Sequence, residues 1–477
     1  MNLKGVISTT IIYGISDSIV VLLSGLLLLP LYTTTLSQQD FGSYIAIKTN
    51  IELLTYVIQF GLISAISRLY FDYRERGEAD SYVMSIALWF PIQLTIAGIV
   101  LSLTGTSGWR MLAPSVSPNP YLCFAIAIIA ATFYFNLTTT ILRAEQRVVA
   151  FVVVQLIAAL VLVVVALLLL ARAKLGLPGL MWALFVSAAA GAVAFPAVLG
   201  RIDRPRLRLS HVKRSLAYAL PIVMGLIAYF ILNRINILIL QRYAGISQLA
   251  LYGLAQQLSL VIAVASAAFG KAVQPILFGA AELRLPELLR ITMKIYVVGM
   301  SCVASLILIF ASEIIRLVAP RNYADSHTIL LLLIVAAFTY TLTLASDTAV
   351  LCRKLPTASA TITLLGAALS AGLAFILIPR AGLVGAASAL LLSSLVLAFA
   401  ANEIARRLTG FTNLWPMIGG LIIVACSAIG AYCVNGMGLS QTPLVGVKIG
   451  LALLLVAGHL VVLRRYLLPT NEPVTPP

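Results

Sequence analysis

Charge is what this chain has least of. Only 10% of its 477 residues are charged, and the acidic ones are scarce, 16 Asp and Glu against 32 Lys and Arg. That supply cannot cover a core with a polar surface, so a soluble globule is excluded. Histidine is rarer still, with three residues. The five cysteines, Cys123, Cys302, Cys352, Cys426 and Cys433, show neither paired nor metal-ligand spacing and read as free apolar residues. The sequence has no nucleotide-binding loop, zinc motif or arrangement of nucleophile and base. No polar stretch is long enough for an extramembrane catalytic domain.

What is abundant is apolar sequence, 61% of the chain. It falls into runs matching the roughly 20 residues that cross a hydrocarbon core of about 30 Å as a helix. Helices and closed barrels alone satisfy the backbone there, and the alternation of a barrel strand is missing. The chain is therefore expected to be an all-α polytopic membrane protein. Candidate spans lie near 7–32, 41–66, 81–104, 120–142, 149–171, 177–199, 215–241, 249–275, 290–312, 327–350, 357–379, 383–402, 413–435 and 444–464, fourteen in all. The first, from Val6 to Leu31, is longer than a signal-peptide core and lacks a small-x-small cleavage site.

The sequence also repeats itself. Gly176 to Ser187 reads GLPGLMWALFVS and Gly382 to Ser393 reads GLVGAASALLLS, identical at six of twelve positions at a shift of 206 residues. Twelve spans then divide into two groups of six. The expected organisation is an N-terminal six-helix bundle over 1–200, a basic cytoplasmic linker over 201–214, a C-terminal six-helix bundle over 215–402, and two additional transmembrane helices with a cytoplasmic tail over 403–477. An even number of spans per repeat implies a pseudo-twofold along the membrane normal. Repeated membrane units point to a transporter, because two similar bundles can expose one site to each side in turn.

The cations concentrate in one alternate set of short loops, which holds Arg74, Arg76, Arg143, Arg147, Arg353, Arg406 and the run RIDRPRLRLSHVKR from Arg201 to Arg214. The positive-inside rule places those loops, and both termini, in the cytoplasm. The net charge of +16 is thereby explained by topology and anionic lipid headgroups, with no nucleic-acid partner. The 201–214 run reads as a linker lying along the lipid surface.

Ionisable residues inside spans cost about 2.5–3.5 kcal/mol at a helix centre and face a partner or a water-filled cavity. Asp17 lies in the first span, Lys48 and Glu52 in the second, Arg234 in the seventh and Lys271 toward the inner end of the eighth. Lys48 and Glu52, four residues apart, are spaced so that they can neutralise one another on one helix face, an alternative that does not exclude a cavity position. Arg234 and Lys271 are long enough to snorkel to an interface, which competes with a cavity role. Asp347 reads as interfacial and His459 as a hydrogen-bonded packing residue. Pro91, inside the third span, is the expected kink.

A family resemblance rests on particular stretches. LLLPLYTTTLSQQDFGSYIAI from Leu27 to Ile47, GLISAISRLYF from Gly61 to Phe71 and LRAEQR from Leu142 to Arg147 resemble the opening of polysaccharide-transporter flippases of the multidrug/oligosaccharidyl-lipid/polysaccharide (MOP) superfamily. ALPIVMGLIAYFILNRINILIL from Ala219 to Leu240 and IPRAGLVGAASA from Ile378 to Ala389 repeat the likeness in the second half. Asn233 departs from it, since many relatives carry an acidic residue there. The resemblance implies a non-enzymatic flippase of a bacterial inner membrane. Its cargo would be an undecaprenyl-pyrophosphate-linked oligosaccharide for O-antigen, capsule or exopolysaccharide. It implies no bound cofactor, with a proton or sodium gradient as the candidate driving force, and membrane lipids, a polysaccharide polymerase and export machinery as partners. Lys48, Arg234 and Lys271 are then the candidate substrate-binding cations, and Asp17 and Glu52 the candidate cavity or ion-coupling carboxylates. The competing readings are a multidrug exporter of the same fold, a membrane polymerase or glycosyltransferase, and an assembly scaffold.

Overall fold

Inside hydrocarbon every backbone group must bond within its own segment, and this chain does so with helices. The computed structural model describes residues 22–103, 109, 114, 116–199, 206–278, 285–353, 355–436 and 441–467, and no strand occurs among them. In chain order the principal helices are α1 (Leu29–Thr35), α2 (Gln38–Gln59), α3 (Leu62–Glu75), α4 (Ala79–Leu103), α5 (Pro118–Ala144) and α6 (Val148–Ala166), which continues as a π-helical turn, Leu167–Arg172. They continue with α7 (Gly176–Ala192), α8 (Leu209–Tyr243), α9 (Ile246–Phe278), α10 (Leu285–Ile309), α11 (Ala311–Val318), α12 (Ser326–Cys352), α13 (Pro356–Thr409), α14 (Leu414–Gly436) and α15 (Gln441–Leu467).

Among the described residues eleven helices are long and apolar enough to cross a membrane, or twelve if α2 and α3, bent by 41°, form one span. The expected spans near 357–379 and 383–402 both lie in α13, whose 54 residues are broken at Gly382. At about 1.5 Å per residue a straight helix of that length would run roughly 80 Å, far more than one crossing. Most of the expected first span lies outside the described residues. The expected span 41–66 straddles the bend between α2 and α3, each other remaining expected span falls on helix, and the all-helical reading holds.

The breaks are set by left-handed residues. Phe60 (φ 45°) and Gly61 (φ 64°) separate α2 from α3. Pro91, the expected kink, lies inside α4, where the Thr95 hydroxyl donates to the Pro91 carbonyl at 2.8 Å. The sequence repeat has a structural counterpart. Gly176 (φ 59°) opens α7 and Gly382 (φ 51°) breaks α13, so the first glycine of both copies takes a conformation costly for an L side chain. The second glycine of each copy lets the chain fold tightly against the end of the preceding segment. A Cβ on Gly179 would lie 2.9 Å from the Leu175 Cβ and 3.3 Å from the Leu169 Cβ, and one on Gly385 would strike the Leu377 carbonyl. The repeated G-L-x-G is thus a corner, with one glycine for the turn and one for the close approach.

The chain forms two compact units. One comprises Met1–Gln257, Val318–Asn322 and Thr363–Leu390, the other Leu258–Leu317, Tyr323–Ile362 and Leu391–Pro477. These units are defined by contact rather than by sequence repeat, and α8 belongs with α2 to α5 in the first. Val212 and Ala219 of α8 join Ile58, Ile66, Phe90 and Phe133 in one buried cluster. The described part of the basic 201–214 run is bonded into the same unit. Arg208 pairs with Glu78 at 2.7 Å and Arg214 with Asp72 at 2.9 Å. The Tyr82 hydroxyl and the Ser215 hydroxyl are hydrogen-bonded at 2.8 Å.

Candidate functional site

The first unit brings three of the five sequence-singled residues onto two helices, α2 and α8. Ser37 caps α2, its hydroxyl accepting from the Asp40 backbone N–H at 3.0 Å, and Gln38 Nε2 donates to the Ser247 carbonyl at 3.2 Å. The start of α2 is thereby tied to the start of α9. Phe41, Tyr44, Ile45 and Ala46 are buried along α2. Further along it Glu52 meets α8, where Arg234 Nε donates to Glu52 Oε2 at 3.1 Å. The pair is partly open, with side-chain exposures of 22% for Arg234 and 26% for Glu52.

Glu52 is therefore partnered across helices and not with Lys48, the local pairing that their spacing allows. An inter-helix guanidinium offers a directed, charge-assisted bond, whereas an i to i+4 pair is worth only a few tenths of a kcal/mol. The Lys48 ammonium leans the other way, 5.7 Å from the centre of the Tyr44 ring. Tyr56, one turn beyond Glu52, points its hydroxyl at Glu52 Oε1 at 3.5 Å and packs edge-on to Phe230, ring centres 6.3 Å apart. No other hydrogen bond of the Arg234 guanidinium is found among the described residues. Among the described residues its two terminal nitrogens have no partner.

Polar groups surround this pair inside otherwise apolar helices. Asn233, the departure from the family pattern, donates from Nδ2 to the Tyr229 carbonyl at 2.9 Å, and Gln256 Nε2 donates to the Asn233 carbonyl at 3.4 Å. Asn236 and Tyr252 are fully buried and interact with each other, the Tyr252 hydroxyl lying against the Asn236 side-chain amide outside ideal hydrogen-bond geometry. The sequence reading passed over Asn236. Its signal was an amide at an apolar helix position, which only tertiary context raises above background.

The remaining candidates lie elsewhere. Asp17 is outside the described residues. Lys271 is on the part of α9 that belongs to the second unit, where it is partly buried. Among the described residues no cluster of three or more His, Cys, Asp or Glu could hold a metal ion.

The second unit contains a charge that the sequence reading missed. Lys448, near the start of α15, is 1% exposed, and its ammonium donates to the Ser312 hydroxyl at 2.7 Å, to both Glu313 oxygens at 2.8 and 2.9 Å, and to Asn435 Oδ1 at 2.9 Å. An ammonium can only donate, so the Asn435 oxygen faces it and the Asn435 amide nitrogen is left for His327 Nε2, 2.9 Å away. Burial alone would push the Glu313 carboxyl up. The hydrogen bonds from Lys448, the Glu313 backbone and Ser312 outweigh that and hold it below the ordinary carboxylate value. The network ties α14 and α15 to α11 and α12. His459 is hydrogen-bonded, as expected, through Nε2 to the Ser301 hydroxyl at 3.0 Å and through Nδ1 to the Leu455 carbonyl at 2.8 Å. Asp347 accepts from the Ser359 hydroxyl at 3.0 Å. A groove of about 640 Å³ between α10, α14 and α15 is walled mainly by apolar residues such as Ile422, Leu451 and Leu454.

Helices of this length with charges held between them define a class, that of polytopic helical membrane proteins built like transporters. Solved structures with this fold include the lipid II flippase MurJ in an inward closed conformation, 12% identical, with a TM-score of 0.75 over 96% of this chain and 99% of that one. They also include an inward-facing MATE-family multidrug resistance transporter of the MOP superfamily, 15% identical, TM-score 0.60, covering 86% and 95%. A Vibrio cholerae MATE transporter, VcmN, matches at 14% identity and TM-score 0.58 over 86% and 99%. No curated protein sequence matches significantly. The chain belongs to the polysaccharide biosynthesis protein family, whose pattern it matches over residues 3–281. The resemblance read from its motifs is thereby borne out.

Proposed function

We propose that this protein is a flippase that carries an undecaprenyl-pyrophosphate-linked oligosaccharide from the cytoplasmic to the periplasmic leaflet of a bacterial inner membrane, for O-antigen, capsule or exopolysaccharide export. The observation that carries this reading is a guanidinium, Arg234, bonded through Nε alone to Glu52 among the described residues, with a second cation, Lys48, one helical turn from Glu52 on α2, on apolar helices of a polysaccharide biosynthesis protein. A lipid tail can stay in the bilayer while its diphosphate crosses, and that group needs fixed cations on the way. A planar guanidinium presents two parallel N–H groups to phosphate oxygens, and the ammonium supplies a second point charge. Lys271 is a further candidate cation for a diphosphate. MurJ, by its name a lipid II flippase, shows that this fold can accommodate lipid-linked cargo.

Both termini face the cytoplasm in this reading. The cargo path alternates between the two sides as the repeats rock, driven by a proton or sodium gradient with Glu52 and Asp17 as the candidate coupling carboxylates. A polymerase and export machinery would receive the product. The test is the sidedness of lipid-linked oligosaccharide in membranes with and without the protein, read by an enzyme or lectin confined to the periplasmic face. Cargo trapped inside without the protein and accessible with it supports the flippase. Unchanged sidedness with altered polymer length would transfer the role to polymerisation or assembly, and no change in either would favour export of other molecules.

A further inference from the structure

The contact between Glu52 and Arg234 is made along one edge of the guanidinium. The carboxylate takes the Nε–H at 3.1 Å, and no partner for the terminal Nη1 and Nη2 nitrogens is found among the described residues. A carboxylate bound across both terminal nitrogens would occupy the fork that a phosphate uses. Bound at Nε, it leaves that fork available.

We infer that Glu52 is a positioning residue that aims Arg234, holding the guanidinium by Nε so that its Nη1–Nη2 edge faces the oxygens of a diphosphate. This rests on the proposal that a diphosphate is the group received at this site. The physical need for such a residue is specific. Arginine in an apolar helix bends its long stem toward the nearest interface, and Arg234 lies only nine residues before the end of α8 at Tyr243. A fixed anion on the neighbouring helix holds the head in place against that tendency.

Glu52 is itself braced. The Tyr56 hydroxyl lies 3.5 Å from its other oxygen, and the Tyr56 ring packs on Phe230, one turn before Arg234 on α8. The aiming carboxylate and the aimed guanidinium are thus referenced to the same stretch of α8. Lys48 leans over Tyr44 instead of toward Glu52, so the carboxylate is not shared between two cations. The arrangement leaves one unit of positive charge in excess beside an open fork.

The test uses the purified full-length protein in detergent and undecaprenyl pyrophosphate as the probe, with undecaprenol as the phosphate-free blank. Binding and thermal unfolding are measured on the same samples. Arg234→Gln is expected to weaken probe binding by tenfold or more, about 1.4 kcal/mol. Glu52→Ala is expected to weaken it about tenfold with the arginine still present, whereas Glu52→Gln, whose carbonyl can still accept the Nε–H, stays within about threefold. The exchange Glu52→Arg with Arg234→Glu restores the ion pair on the opposite helices. It is expected to unfold like the wild type yet bind as poorly as Arg234→Gln, an outcome that a merely structural pair would not give. Wild-type binding by Glu52→Ala or by the exchange, with Arg234→Gln still impaired, overturns the aiming role alone. Wild-type binding by Arg234→Gln overturns the diphosphate reading and the aiming role with it.

Discussion

Each unit contains an inter-helix ion pair set among apolar helices, Arg234–Glu52 in the first and Lys448–Glu313 in the second, and the pairs are built to opposite plans. In the second unit Lys448 is closed off, 1% exposed, with acceptors from Ser312, Glu313 and Asn435 around one ammonium. In the first unit Arg234 has a single hydrogen bond among the described residues, to Glu52, at 22% exposure. A buried charge with its donors satisfied has no capacity left for a ligand and serves to fix helices. A half-open guanidinium with an unfilled edge still has its strongest interaction to make. The degree of satisfaction, not the presence of charge, separates a structural pair from a working one.

The comparison can be broken most easily at Glu313. Replacing it with alanine leaves the buried Lys448 ammonium with neutral acceptors only, a situation that costs about 3–5 kcal/mol. A large loss of thermal stability in detergent is the expected result. Lys448→Met should cost less, because the partner left behind, Glu313, is 27% exposed and can turn toward water. If the two substitutions prove equal, or the methionine variant is the worse, the closed pair is not organised around the lysine.

The open pair should respond in the opposite sense. Arg234→Gln is expected to change thermal stability by no more than about 1 kcal/mol, the range of partly exposed pairs, while abolishing cargo movement. A stability loss rivalling that of Glu313→Ala would make both pairs structural. The smallest effect is in pH. Because the Glu313 carboxyl is held below its ordinary value, its contribution to stability is complete above about pH 4.5 and is lost as the pH falls through the lowered value. The difference in melting temperature between the wild type and Glu313→Gln should stay level from neutral pH to about 5 and shrink below that. Glu313→Gln should lack this acid-dependent component.

The span pattern was legible because hydropathy alone sets where a helix can cross. The corner at Gly176 and Gly382 was legible as a repeat, although its physical content, two left-handed glycines each followed by a close approach, emerges only from backbone angles. The break at Phe60 and Gly61 was missed. A proline removes one N–H from a helix that can otherwise continue, whereas two successive left-handed residues turn the chain. Arg234 and Glu52 could be picked out singly as charges where charge is costly. Their partnership could not, since spacing along one helix favours Lys48 for Glu52 and carries no information about α8. Lys448 lies near the start of its span, where a lysine ordinarily snorkels, and nothing local distinguishes it from such a residue.

The most direct test of the contrast between the pairs is transport by the Arg234→Gln protein in membranes containing lipid-linked oligosaccharide, at matched protein level and with thermal unfolding measured alongside. The expected result is cargo held on the cytoplasmic side by a protein that unfolds like the wild type. Cargo reaching the periplasmic side at the wild-type rate would contradict the assignment of the open pair as the working site.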